Sequence, residues 1–148
     1  MTYPRNDIFA VLGGVSFGAD AVRSDGTVRL SRTGSVQPND PRFSYDEKWD
    51  VWEAVVPIDE CDRLVEVSTF ARYQGAPCQV IAIGEDGQAG LYYVGHDSIE
   101  PERLGFEEFD RHEYRKTVPT EELYDYHEIH RDLLFNHWRG KTFGEVKV

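Results

Sequence analysis

Residues 120–140 read TEELYDYHEIHRDLLFNHWRG, and the fold class turns on how this stretch is read. Thr120 follows Pro119 and precedes Glu121 and Glu122, which puts acids in a first turn where the helix dipole favours them. At about 100° per residue, Leu123, Tyr126, Ile129, His130, Leu133, Leu134, His137 and Trp138 share one half of a helical wheel. Tyr124 and Phe135 fall on the outer face among Glu128, Arg131 and Asp132. Arg139-Gly140 supplies a stop, because a glycine takes the left-handed conformation that ends a helix. The pattern predicts a helix of about five turns lying across a sheet. The final KTFGEVKV fits either a tail or an edge strand.

Working outward, the rest of the chain reads mainly as strands. GADAVRSDGTVRLSRTG alternates small or apolar with polar residues about Asp25-Gly26, a strong hairpin signal, with strands near residues 17–23 and 27–32. SVQPNDPRFS is a loop. WDVWEAVV from Trp49 to Val56 is rich in β-formers and ends at Pro57, and LVEVSTFARY from Leu64 to Tyr73 alternates. QVIAIGEDGQAGLYYVG is a second hairpin, and FEEFDRHEYRKTV a further extended segment. Two short helices are expected. Asn6 or Asp7 caps one that runs through Ile8, Phe9, Val11 and Leu12 to Gly13; Asp97 or Ser98 caps another that ends at Leu104-Gly105. The expected architecture is α+β in a single domain, 1–148: a mainly antiparallel sheet of about six strands, a short N-terminal helix and a long C-terminal helix packed on one face.

Composition narrows the function classes. With 40% apolar and 13% aromatic residues in 148, the chain can build a core without staples. Its net charge of −11 repels phosphate backbones and anionic lipid, so neither nucleic acid nor membrane is an expected partner. Cys61 and Cys78 match no zinc or redox spacing and read as reduced thiols of a cytoplasmic protein, with a single disulfide as the other option. The N-terminus carries no secretory pattern, and no run of apolar residues is long enough for a membrane helix.

Three motifs invite a catalytic reading. Gly14-Val15-Ser16-Phe17-Gly18 matches the G-x-S-x-G elbow of α/β-hydrolases, but that elbow needs a preceding strand and a following helix, and here a hairpin follows. His127 and His130 are one residue short of the i, i+4 pairing with which two histidines bind zinc on a helix. Acid pairs such as Asp59-Glu60 and Glu85-Asp86 sit at turns and caps, where they stay solvated and ionised rather than tuned for acid-base work. No catalytic residue, metal or cofactor is assigned on these grounds.

RFSYDEKWDVWEA carries the most unusual signal. Phe43, Tyr45, Trp49 and Trp52 interleave with Asp46, Glu47, Asp50 and Glu53, mixing aromatic anchors with acids that steer a basic partner. Alternation along one strand puts Trp49 and Trp52 on opposite faces, so that at least one is exposed. Small size, acidity, turns such as SDG and EDG, and the segment YDEKWDVWE together resemble the small bacterial immunity proteins of polymorphic toxin systems. The resemblance implies an inhibitor, monomeric until it meets its partner, that occludes the cleft of a cognate toxin such as a nuclease or an NAD-consuming glycohydrolase. Tyr45, Asp46, Trp49, Asp50, Trp52 and Glu53 would form the contact, with the loop through Gly13, Gly14, Ser16 and Gly18 as an alternative plug. Two other readings stay open: a ligand-binding or hydrolytic domain with a pocket between sheet and last helix, lined by Tyr126, His130 and His137, and a self-associating structural subunit.

Overall fold

A computed structural model describes residues 3–34 and 36–144. Its elements are β1 (Ile8–Leu12), β2 (Val15–Ala19), β3 (Thr27–Thr33), β4 (Ser44–Asp46), β5 (Val51–Pro57), β6 (Arg63–Tyr73), β7 (Ala76–Ile83), β8 (Gln88–Tyr93), α1 (Glu100–Arg103), β9 (Glu107–Asp110), β10 (Glu113–Pro119), β11 (Tyr124–Asp132) and α2 (Leu133–Phe143). Single 3₁₀ turns occupy Ile58–Glu60 and Thr120–Glu122. The chain divides into two compact units, one drawn from residues 1–6 and 67–129, the other from 7–66 and 130–148.

In the second of these, antiparallel strands run in the order β4-β5-β3-β2-β1-β6. Gly13 and Gly14 close the β1–β2 turn between paired Leu12 and Val15, both with positive φ, a conformation that costs glycine nothing. Val28 and Leu30 of β3 point inward while Arg29 and Ser31 point out, the period of two that a half-buried strand demands. With Val56, Ile58 and Leu64 they build a fully buried core, against which Leu133 and Leu134 of α2 also pack.

The other unit has the order β6-β7-β8-β10-β9. Ala71, Tyr73, Cys78, Val80, Leu91, Tyr93, Phe106, Tyr114 and Val118 form its core. Thr69 is fully buried yet satisfied, its hydroxyl donating to Arg5 O at 2.8 Å. β11, paired with β6, is exposed along nearly its whole length.

Four expectations about the fold are corrected, and the α+β class with them, since the described residues are mostly sheet with two short helices. The described residues hold eleven strands, not about six. The N-terminal helix is strand β1: IFAVL is too short an apolar run to separate the two periods, and the glycines after it make a hairpin turn rather than a helix cap. The long C-terminal helix is instead a 3₁₀ turn, strand β11 and an eleven-residue helix, α2. Its true N-cap is Asp132, whose carboxylate accepts from Phe135 N at 2.8 Å. FEEFDRHEYRKTV is likewise two strands, β9 and β10, turned back at His112, which has φ +62°. Lys141–Phe143 belong to α2, and residues 145–148 of the proposed tail or edge strand lie outside the described residues. No helix is long and apolar enough to cross a membrane among the described residues.

Cys61 and Cys78 are free, buried thiols. Burial pushes both upward, Cys78 to about 12, because a thiolate loses its hydration there. The native protein at pH 8 should therefore resist a disulfide reagent that titrates both thiols once denaturant is added; prompt native reaction of Cys78 would contradict this burial.

Candidate functional site

Strand β4 pairs with β5 in the register Ser44↔Glu53, Tyr45↔Trp52 and Asp46↔Val51, leaving residues 47–50 as the turn. That turn is built by its own side chains. Asp46 Oδ1 accepts from Lys48 N at 3.0 Å, a local bond of the kind that lets Asp initiate turns. Asp50 closes it with φ +49°, and its Oδ1 accepts from Tyr45 Oη at 2.5 Å. The same bond, with the charges of Asp50, Glu47 and Asp46 behind it, raises the Tyr45 hydroxyl above its ordinary pKa.

Trp49 therefore sits in the turn rather than on a strand, and 68% of it is exposed. Lys48 Nζ lies 5.3 Å from its ring centre. Tyr45 is exposed too, tilted against Trp52 with ring centres 5.1 Å apart. Trp52 itself is half-buried, packed on the unit's core. The expectation that the two tryptophans occupy opposite faces of one strand gives way to a division of labour: Trp52 holds the hairpin down and Trp49 projects. Asp46, Glu47, Asp50 and Glu53 surround the projecting ring in sequence, offset only by Lys48.

The buried indole Nε1 of Trp52 has no hydrogen-bond partner among the described residues. A buried donor without an acceptor costs about 1–3 kcal/mol, so removing it should offset lost packing. Trp52→Phe is expected to change unfolding free energy by less than about 1 kcal/mol, whereas Trp52→Ala should lose about 2–4 kcal/mol through the cavity it leaves. Urea titrations of both variants would show this, and equal losses would sink it.

Of the alternative plug residues, Gly13 and Gly14 occupy the open β1–β2 turn, with Gly14 N donating to Asp62 Oδ2 at 3.3 Å. Ser16 is exposed on β2 opposite Val11, and Gly18 pairs with Ser31. Ser16 thus lies mid-strand in a hairpin, without the strand-turn-helix setting of a nucleophile. The plug turn borders a hollow of about 520 Å³ that includes Phe17 and Arg32.

The histidines are not gathered. His127 and His130 lie on β11, where a spacing of three puts side chains on opposite faces; His127 Nδ1 is 2.6 Å from Asp125 O. Tyr126 is on the same strand, not on a helix. His137 stands on α2 beside Asp59, Nε2 to Oδ1 3.6 Å, and Lys141 Nζ reaches Asp59 Oδ2 at 3.0 Å, at the mouth of a 390 Å³ hollow. Among the described residues no three His, Cys, Asp or Glu side chains are arranged to hold a metal.

The sequence reading puts Phe135 on an outer face but Trp138 in the buried stripe, and it singles out neither Phe143 nor a hollow at Gly90. Phe135, Trp138 and Phe143 cluster on α2, each more than half exposed, with ring centres 5.7 Å apart along the series. A hollow also opens over Gly90, where the one available signal was a glycine inside a strand pattern.

The molecule is thus a mainly antiparallel β protein that presents an acid-flanked aromatic turn. A model for the family described as "Uncharacterised conserved protein UCP033725" matches residues 5–131, and the chain belongs to that family. No curated protein and no solved structure matches it.

Proposed function

We propose that the protein acts by contact: it docks a basic protein partner on the β4–β5 turn. In this reading the partner is a cognate bacterial toxin whose active-site cleft the turn occludes. Trp49 is the observation that carries the proposal. A tryptophan 68% exposed on a turn fixed by Asp46 and Asp50 offers a large apolar surface already held in place, so little ordering entropy remains to be lost on binding. Large aromatic side chains of this kind dominate interface energetics once desolvated. The acids around it, on a chain of net charge −11, speed encounter with a basic cleft and disfavour acidic competitors. Inhibition of this kind is steric and electrostatic. The β1–β2 turn at Gly13-Gly14, in the same unit, supplies a second contact if the cleft is wide.

The toxin assignment rests on the resemblance in size, acidity and turn composition to immunity proteins. Calorimetric titration with the protein encoded by the neighbouring gene tests it. A stoichiometric complex that abolishes that protein's activity is the expected result. No heat at micromolar concentrations, or a complex that leaves the activity intact, would overturn it.

A further inference from the structure

A second site lies in the unit formed by residues 1–6 and 67–129, independent of the turn described above. Strands β7, β8, β10 and β9 present one face to solvent, and β8 places Gly90 in its middle, opposite Thr117 of β10 and Ala82 of β7. With no side chain at that position the face is dented. The hollow holds about 440 Å³, within the range of about 300–1,000 Å³ typical of small-molecule sites. Ile81 and Phe109 are 53% and 42% exposed there, and Tyr92 meets Phe109 edge-on at 6.1 Å, so the walls are apolar where water would otherwise sit.

Two cationic residues line the dent, of which Lys116 donates its ammonium to Leu104 O at 2.7 Å, leaving Arg115 to overlook it. The Arg115 guanidinium stands 4.9 Å from the Phe109 ring centre, held by the ring's negative face. Its approach to Glu107, 3.7 Å from Nη2 to Oε1, is too long for a hydrogen bond, so its planar fork keeps its donors. Glu113, the other acid on this face, accepts from Tyr92 Oη at 3.1 Å. From this arrangement we infer that the dent binds an amphipathic monocarboxylate, its apolar body over Gly90 and its carboxylate on Arg115. Glu107 and Glu113 limit the charge the site tolerates, so a dicarboxylate is repelled.

Gly90 makes the inference testable. A Cβ built there meets nothing closer than Ala82 O at 3.9 Å, so a side chain can start at this position without displacing backbone, and a larger one should occupy the dent. Amide chemical-shift titrations of the whole chain should use 3-phenylpropanoate and decanoate, which distinguish an aromatic from an aliphatic body, with 3-phenylpropanamide and benzylmalonate as controls. Shifts centred on Gly90, Tyr92, Arg115 and Thr117 are expected with at least one of the two monocarboxylates. The amide and the dicarboxylate should bind roughly tenfold more weakly or worse. Gly90→Leu should abolish binding, and Arg115→Gln should weaken the acid about tenfold and leave the amide unchanged. Should Gly90→Leu fail to fold by circular dichroism, Arg115→Gln, on an exposed side chain, decides alone. Neither monocarboxylate moving these amides at about 5 mM, shifts centred elsewhere, or equal binding to Arg115→Gln would overturn the site.

Discussion

Replacing Asn6 by Ala should lower unfolding free energy by about 2–4 kcal/mol, a large loss for one polar side chain. The reason is a gap in a ladder. β6 and β7 pair from Phe70↔Gln79 to Tyr73↔Ala76, a register that would next bring Thr69 opposite Val80. Instead the carboxamide of Asn6 stands between them. Its Oδ1 accepts from Thr69 N at 2.8 Å and from Gln79 Nε2 at 3.0 Å, and its Nδ2 donates to Val80 O at 2.8 Å. An asparagine side chain has the donor and acceptor of a peptide group, so it completes the ladder as a short strand would. Ala strands the Thr69 N–H and the Val80 carbonyl, and each such group costs about 1–3 kcal/mol when water cannot replace the partner. Against a typical total of about 5–15 kcal/mol this is a large fraction, and melting should drop by roughly 5–15 °C.

Asn6→Asp sharpens the test, since it keeps the shape and inverts one end. Its carboxylate would face Val80 O with an acceptor, so the variant should be at least as unstable as Asn6→Ala at pH 7. The Asp carboxyl is then raised in the folded state, and a raised carboxyl contributes stability that appears as pH falls through its folded value. Protonated, it donates as the amide did. Thermal melts at pH 7 and pH 4 read both effects: recovery at the lower pH is expected for Asp and not for Ala, and identical behaviour of the two variants would refute the bridging role.

Asn6 also shows where sequence reading stops. As a residue ahead of a short apolar run it looked like a helix cap, and nothing local distinguishes that from a carboxamide bridging strands more than 60 residues away. The same limit governs residues 120–140. Leu123, Tyr126, Ile129, His130 and Leu133 suit a helical wheel, yet Tyr124 and Tyr126 also suit an extended chain, and pairing with β6 settles the matter for the strand. Hairpins were legible because their chemistry is local. Gly26 and Gly87 take positive φ at the SDG and EDG turns, and Asp25 and Asp86 accept from Thr27 N and Gln88 N beside them. At the candidate site, composition exposed the acid-aromatic segment, but Trp49 belongs to the turn only because Asp46 and Asp50 start and close it there. The dent at Gly90 needs four strands to assemble before it exists, and no window of sequence contains them.

In the complex proposed above, Trp49→Ala should weaken affinity about 30-fold or more, equivalent to about 2 kcal/mol, while unfolding free energy changes by less than about 0.5 kcal/mol. The asymmetry follows from exposure. Trp49, 68% exposed and with Lys48 Nζ 5.3 Å from its ring centre, has little folded-state packing to lose, whereas a partner that buries the indole removes its whole apolar face from water. The loss should fall mainly on dissociation. Changing Asp46, Glu47 and Asp50 to the amides should instead slow association and flatten its salt dependence, because these exposed charges act at a distance that salt screens. Asp50→Asn has an added consequence, since Tyr45 Oη then donates to a neutral oxygen and the turn loses part of its brace. Stopped-flow association and dissociation at two ionic strengths separates these contributions. A Trp49→Ala variant that dissociates as slowly as the parent would move the contact surface away from this turn, leaving the α2 cluster of Phe135, Trp138 and Phe143 as the aromatic surface of the same unit to test next.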